Sequence, residues 1–457
     1  MNRPRLRLLA GLLAVLAPAA QAQTARTGTV AKRYAELCAN CHGDKLQGAQ
    51  APSMLDDSWL VGGDDASIEK SIRTGFPDKG MPAWGNAIPD KEIRAMVIFI
   101  REQRDLARRG QLQFNKPADS VTTRSQLHDF QVNTWVGGLK EPYSLAFLNP
   151  DLAVVTEKRG HAFLVEKGKL AARPLLGLPV VDAASQAGLY DVVPHPDYAR
   201  NGWVYLAFAD PKKDADGKPV SLTRIIRGRI KDGALIDQET VYQARPEHYI
   251  KAGGVHFGGR IAFDRQGFLF FTIGERGQGP HAQDITRPNG KVHRIHDDGR
   301  VPADNPFVKN PEACATIWSY GHRNPQGAAI GPDGVLWVHE HGPQGGDEVN
   351  RIERGRNYGW PKVSYGCPYG APKGEACRYG GGVHEPTYEP PVSFWVPTSI
   401  GPSGLVFYSG RRFPQWHRCK WCERSATGES GGARRAAGMG IGAGVQFHHR
   451  RAQGRRA

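Results

Sequence analysis

The sequence predicts a multidomain chain, with a small all-α domain followed by a larger all-β domain of propeller type. Three observations predict it. Ile93, Met96, Val97 and Ile100 recur at helical spacing on one face, some fifty residues after the run Cys38-Ala39-Asn40-Cys41-His42. From Trp135 onward the helical signal stops, and short β-branched and aromatic runs alternate with Gly, Asp, Asn and Pro turns. These runs fall into units of roughly 40–50 residues, the size of a propeller blade. A sandwich would need far fewer residues than are present.

The chain opens with Arg3, Arg5 and Arg7, an apolar stretch over 8–16, and Ala20-Gln21-Ala22. This is the order of a signal peptide, read as residues 1–22, with cleavage before Gln23 and delivery to the periplasm. The alternative is an uncleaved helix lying at a membrane surface. No later stretch is apolar for long enough to predict a transmembrane segment in the mature chain.

The formal charge of +15 suggests nucleic acid until it is located. Three of the cations lie in the first seven residues. Nine Lys or Arg, against Glu423 and Glu429, lie in 417–457. The body between them is mildly basic, so no nucleic-acid partner is expected.

Cys38-x-x-Cys41-His42 is the attachment pattern of a c-type haem. Two thiols three positions apart can each bond a haem vinyl group, and the next imidazole then reaches the iron. A bare Cys-x-x-Cys also suits a redox dithiol or half a zinc site; the following His in an exported chain favours haem c. Met81, in the loop Gly80-Met81-Pro82-Ala83-Trp84, is the expected sixth ligand. Met54 and Met96 compete, but Met96 falls on the apolar helix face. Helices are predicted over 30–37, over 68–73 and from Asp90. Residues 27–108 resemble a class I cytochrome c domain.

Residues 109–134 are polar and aperiodic and read as a linker. In 135–416, strand-like runs occupy 152–156, 203–208, 268–273 and 335–339. Several follow turns such as His195-Pro196-Asp197, Asp264-Arg265-Gln266-Gly267 and Gly331-Pro332-Asp333-Gly334.

Seven motifs in order make this region resemble the soluble quinoprotein sugar dehydrogenases. They are SQAGLYDVVPHPDY (185–198), HFGGRIAF (256–263), TIGERG (272–277), GKVHRI (290–295), GHRNPQG (321–327), EHGPQGGDEVN (340–350) and NYGWP (357–361). The resemblance implies a six-bladed β-propeller that binds pyrroloquinoline quinone (PQQ) with Ca²⁺ and oxidises a small-molecule sugar.

Site residues follow from chemistry and resemblance together. Alcohol oxidation needs a base for the hydroxyl proton, and a histidine has the right range. The resemblance puts that base on His256, beside Gly258 and Gly259, where backbone can approach a flat cofactor. Arg323 offers a fixed cation for charge developing on the cofactor, with Asn324 beside it. The resemblance implies that the Gly342 and Pro343 carbonyls hold calcium, an oxygen-seeking ion. Asp347 and Glu348 are read as structural instead, as is His322. By resemblance, Gln186 and Thr398 contact the cofactor and Glu275 contacts the sugar. Trp395 suits either stacking on a ligand or core packing.

Cys367 and Cys377 stand ten apart in a Gly/Pro/Tyr-rich loop, and in an oxidising compartment they suit a disulfide. After Trp416 the pattern fails. Related chains continue with strands that complete the last blade and carry a lysine and an Arg-x-Arg pair toward the cofactor carboxylates. Residues 417–457 are instead rich in Gly, Ala and Arg. They read as an aberrant, frameshifted or disordered tail, the alternative being a natural basic tail. The last blade is therefore expected to be incomplete and cofactor binding weakened.

The sequence thus predicts a periplasmic dehydrogenase that oxidises an aldose at C1 to the lactone with PQQ. Its electrons would pass to its own haem and then to an external acceptor: a cytochrome, the quinone pool or an oxidase. Two alternatives remain open. One is an electron-transfer cytochrome joined to a non-catalytic or PQQ-deficient propeller; the other is a PQQ dehydrogenase of non-sugar alcohols.

Overall fold

The computed structural model describes residues 30–48, 51, 53–55, 59, 61–77, 81–112, 120–125, 127–369, 371, 374–397, 399–417 and 440–442. Residues 1–29, Thr398 and all of the tail except 417 and 440–442 lie outside these. Internal contacts divide the chain into two compact units, with the main boundary in the sequence between residues 116 and 117.

The first unit is helical. Residues 30–37 form a helix, a turn follows at Ala39–His42, and longer helices span Asp65–Thr74 and Asp90–Arg108. The middle helix starts where Asp64 accepts a hydrogen bond from the Ser67 amide at 2.9 Å, satisfying one of the first turn's orphan donors. Pro89 precedes the last helix, whose first turn carries Asp90 and Glu92, charges that suit its positive end. Ile93, Met96, Val97 and Ile100 face inward and are buried with Tyr34, Leu46, Ile68, Ile72, Trp84 and Ile88. Each such aliphatic side chain contributes about 1.5–3 kcal/mol by leaving water. None of the described helices is long and apolar enough to cross a membrane.

The second unit is a propeller-type β-fold. Four antiparallel four-stranded sheets follow one another along the chain. The first runs Pro142–Phe147, Leu152–Glu157, His161–Glu166, Lys169–Leu170. The second runs Leu189–Pro194, Trp203–Lys213, Pro219–Lys231, Ala234–Tyr242, with the short strand Ile250–Lys251 added beside Pro219–Lys231. The third runs Ile261–Phe263, Leu269–Ile273, Lys291–Ile295, Ile317–Tyr320. The fourth runs Pro325–Ile330, Leu336–Glu340, Asp347–Arg351, Ser393–Trp395. Within each sheet the strands pair in chain order, as a meander requires. The first strands of successive sheets pack against one another, and Gly404–Val406 continues that row beside Pro325–Ile330.

The apolar faces explain this stacking. Val154, Leu189, Val204, Leu206 and Phe208 join the first sheet to the second. Tyr190, Tyr205, Phe257, Phe271 and Ile273 join the second to the third, and Phe270, Val292, Leu336 and Val338 join the third to the fourth. Arg260 reinforces the row from the third sheet. Its guanidinium donates to Gln326 O at 2.7 Å and Ser403 O at 2.6 Å, pairs with Asp191 at 3.5 Å, and lies 4.6 Å from the Tyr143 ring centre.

Two expectations meet a different structure. The stretch read as a linker contains a hairpin, Ser120–Arg124 with Asp129–Asn133. Its second strand alternates exposed and half-buried residues, and Phe130 meets Phe413 and Trp416 edge-on. Polar side chains on its outer face hid that alternation. Where six blades were expected, the described residues form four complete sheets. A fifth inner strand, Gly404–Val406, pairs with Gly440–Gly442. Cys367 and Cys377 do form a disulfide.

Candidate functional site

His256 sits in the turn between the added strand Ile250–Lys251 and the third sheet, with a left-handed φ of 57°. That conformation is uncommon for a residue with a Cβ and needs support from its surroundings. Support comes from three directions. Gln186 Oε1 accepts the His256 amide at 2.9 Å, the Arg276 amide donates to the His256 carbonyl at 3.2 Å, and Gly274 passes so close that a Cβ there would strike that carbonyl.

The His256 imidazole Nδ1 lies 2.5 Å from Glu275 Oε1. Glu275 is 2 % exposed. Burial by itself would raise its carboxyl, but interaction with His256, the Arg323 charge and the Gln278 amide outweigh burial and hold it below its ordinary value. Burial, followed by the Arg323 cation, lowers His256 to about 4, against the raising effect of Glu275. An ionised carboxylate only accepts hydrogen bonds, so Nδ1 carries the ring proton and Nε2 presents a bare lone pair.

Arg323 closes the other side. Its carbonyl accepts the Glu275 amide at 2.9 Å. Its guanidinium donates to His341 O at 3.0 Å and Gly342 O at 2.9 Å, touches the Tyr369 hydroxyl at 3.4 Å, and faces the Trp360 ring at 5.3 Å. The Arg323 amide in turn donates to Glu340, which also pairs with His322 at 2.8 Å. Asn324 is buried and used internally, accepting from the Gly258 amide and from Gln326.

A small cavity beside Arg323 is lined by His341, Gly342, Glu348 and Trp360. Burial, then the Glu340 charge, pushes the Glu348 carboxyl well above its ordinary value. Asp347 holds the cavity's edge: it accepts from the Gly342 amide at 3.0 Å, the Ser399 hydroxyl at 2.5 Å, and the Ile400 and Gly401 amides at 2.7 and 2.9 Å. The half-buried Gly342 carbonyl and the neighbouring Pro343 carbonyl are hard oxygen donors of the kind calcium takes. Some of the buried polar atoms without partners among the described residues belong to this site: Glu275 Oε2, Arg323 Nε and Trp360 Nε1. Polar atoms left unpaired at a cavity suit a polar ligand such as a quinone carboxylate or a sugar hydroxyl.

His256, Gln186, Glu275, Arg323 and Gly342 are thus joined by hydrogen bonds, directly or through one another, Asn324 bonds instead to Gly258, Gln326 and His341, and Thr398 lies outside the described residues. In the helical unit, Cys38 and Cys41 are half-buried thiols in no disulfide, on the turn that ends at His42. Met81 exchanges two backbone hydrogen bonds with Phe76, at 2.9 and 3.1 Å. Met96 is 2 % exposed and belongs to the core, and Met54 packs half-buried against the same core. Two thiols, an imidazole and a loop thioether form the donor set that a haem c takes.

Comparison with known proteins decides the family. The profile described as Glucose / Sorbosone dehydrogenase matches residues 139–420. The chain belongs to that family. A second profile, Cytochrome C oxidase, cbb3-type, subunit III, matches residues 25–100, so this glucose/sorbosone dehydrogenase family member carries a cytochrome c domain at its N-terminal end. Aldose sugar dehydrogenase YliI of Escherichia coli K12 is 40% identical over 285 residues, 61% of this chain and 74% of that protein. The apo-form structure of the soluble aldose sugar dehydrogenase from Escherichia coli superposes with a TM-score of 0.55 at 40% identity, over 61% of this chain and 78% of that one. The PQQ-bound aldose sugar dehydrogenase of Streptomyces coelicolor gives 0.50 at 30% identity, over 61% and 75%. For the cytochrome part, the cbb3-type oxidase subunit FixP of Bradyrhizobium sp. ORS 278 is 36% identical over 86 residues, 18% of this chain and 29% of that subunit.

Two residues of this family member's site were not singled out by sequence reasoning. Arg276 lies inside the TIGERG motif, but its partners come from 251–257 and only folding brings them near. Trp360 lies inside NYGWP and faces Arg323 across 37 residues of chain.

Proposed function

We propose that this chain oxidises an aldose at C1 to its lactone in the periplasm, using PQQ and calcium in the propeller and passing electrons to a haem c held by Cys38, Cys41, His42 and Met81. The hydrogen-bonded sequence Glu275–His256 with Arg323–Gly342 carries this reading, since it sets a base beside a fixed cation and a backbone carbonyl. When bound, PQQ with calcium would supply a two-electron oxidant, and the haem would carry electrons onward singly.

The protein's own residues divide the work. His256 Nε2 takes the proton of the C1 hydroxyl. Glu275 holds the Nδ1 proton and stabilises the imidazolium that forms. Its burial and its 2.5 Å contact with His256 support an orienting role over the direct sugar contact that resemblance implied. Gln186 fixes the His256 backbone while Asn324 braces Gly258. Arg323 places positive charge where negative charge develops, inside a site where burial strengthens it. The Gly342 and Pro343 carbonyls would hold the calcium. Joining both units in one chain raises the effective concentration of electron donor for acceptor.

The second reading, a PQQ-deficient propeller carrying an electron-transfer cytochrome, draws on the Gly/Ala/Arg-rich composition of 417–457. One experiment separates the readings. Haem-loaded protein is mixed with PQQ and Ca²⁺, then with aldoses and simple alcohols, while the reduced-haem absorption band is followed. Sugar-dependent reduction that disappears in His256→Ala supports the proposal. Reduction by simple alcohols alone moves the substrate class. No reduction by any substrate, with haem still reducible by dithionite, rejects the dehydrogenase reading for this chain.

A further inference from the structure

We infer that Arg276 is the positioning residue that holds the proposed base His256, through the backbone on both sides of it. The inference rests on the base assignment above for its catalytic meaning, but its geometry stands alone. The Arg276 guanidinium is 4 % exposed and grips the segment leading into His256 by three main-chain carbonyls. It donates to Val255 O at 2.7 Å, Gly253 O at 2.8 Å and Lys251 O at 3.1 Å. The same group lies 3.5 Å from the ring centre of Phe257, the residue that follows His256. A cation on the face of an aromatic ring, away from water, is held strongly. One side chain therefore pins residues 251, 253, 255 and 257, and the Arg276 amide takes the carbonyl of 256 itself.

The pinned segment would not stay in place unaided. Gly253, Gly254, Gly258 and Gly259 all have positive φ, so the chain around His256 is built of residues with wide conformational freedom. His256 at φ 57° and Arg276 at φ 62° are both left-handed without being glycine. Adjacent residues of one short turn thus perform two jobs: Glu275 orients the imidazole and Arg276 orients the backbone that carries it. Lysine cannot replace this fork, because an ammonium has no planar face to lay on the Phe257 ring while it donates to the carbonyls. A buried arginine bound to three carbonyls could instead be a packing device, and the test has to separate the two.

The test uses the full chain with histidine labelled in ¹⁵N, compared with Arg276→Lys and Arg276→Met; His256→Ala identifies the His256 resonances. The imidazole faces Glu275, Arg323 and His341, and none of these is altered. In the parent protein the His256 ring should show one tautomer, with the proton on Nδ1. In both variants we expect tautomer averaging and displaced His256 resonances while the other histidines keep theirs. With PQQ and Ca²⁺ added, kcat should fall by about tenfold to a hundredfold with KM little changed, as for a misplaced base. Unchanged His256 resonances in a folded variant overturn the inference, and so does loss of near-ultraviolet circular dichroism in both variants, which would assign Arg276 to packing alone. If His256→Ala retains turnover, the base assignment fails while the resonances still decide whether Arg276 holds His256.

Discussion

Glu275 Oε1 lies 2.5 Å from His256 Nδ1, and the two are held from opposite ends by Gln186 and Arg323. The pair behaves as one unit, since the carboxylate sets which ring nitrogen is free. Glu275→Gln leaves the volume intact but removes the charge and offers an amide donor that favours the wrong tautomer. We expect kcat to fall by about a hundredfold or more with sugar KM nearly unchanged. Steady-state kinetics over a sugar series checks this; a raised KM at full kcat would return Glu275 to the role of sugar contact.

The acid side of the pH profile should extend well below the ordinary histidine range. His256 sits at about 4, so the base stays unprotonated from neutrality down to that region. The acid limb of kcat/KM for the free enzyme should fall near pH 4 and not near 6.5. A limb near 6.5 would place the essential base elsewhere.

Stability should also fall with acid. His256 at about 4, and His293 and His339 at about 3, are all lowered chiefly by burial. The unfolded chain binds protons on these rings below about pH 6.5, where the folded chain does not. Their stabilisation is therefore complete above about pH 6.5 and is lost as pH falls toward 3. Urea unfolding across this range should show the midpoint dropping with pH, and less so in His293→Phe if that variant folds.

Arg260→Met should loosen the row of inner strands. It leaves Asp191 with its charge uncompensated and removes donors from Gln326 O and Ser403 O. Breaking a buried ion pair from one side costs about 3–5 kcal/mol. Chemical denaturation of the propeller unit should register that loss while the haem spectrum stays unchanged.

Asp347→Ala should weaken calcium more than sugar. Asp347 ties the Gly342 amide to the 399–401 turn, so its loss frees the carbonyl-bearing segment and strands four donors. The stability loss should be about 3 kcal/mol. Titration calorimetry with Ca²⁺ and PQQ should show weaker calcium binding than in the parent; unaltered calcium affinity would separate Asp347 from the metal site.

Much of the architecture was legible in the residue order. The helix bearing Ile93, Met96, Val97 and Ile100 follows from its period, because a helix that buries one face must repeat about every 3.6 residues. Strands at Leu152–Glu157, Leu336–Glu340 and Leu269–Ile273 follow from β-branched and aromatic runs closed by Gly and Asp turns. The hairpin at Ser120–Arg124 and Asp129–Asn133 was not legible, since its outward side chains are polar and its register is set by its pairing. The contact between Glu275 and His256 was not legible for a related reason: TIGERG marks the residue as functional, but which group its carboxylate meets depends on a contact across 19 residues.

The sequence by itself determined the cysteine-histidine motif, the two kinds of domain, the ordered dehydrogenase motifs and the spacing that allows the Cys367–Cys377 bridge. Each of these is written in residue type and short-range periodicity. Only the tertiary structure decided that Arg276 grips 251–257, that Arg323 meets Gly342, and that Glu348 is a buried wall of the cavity. These depend on which strands lie side by side and on how far water is excluded there. Burial is what raises the Glu348 carboxyl and lowers the His256 imidazole, and burial belongs to the folded chain, not to any residue in it.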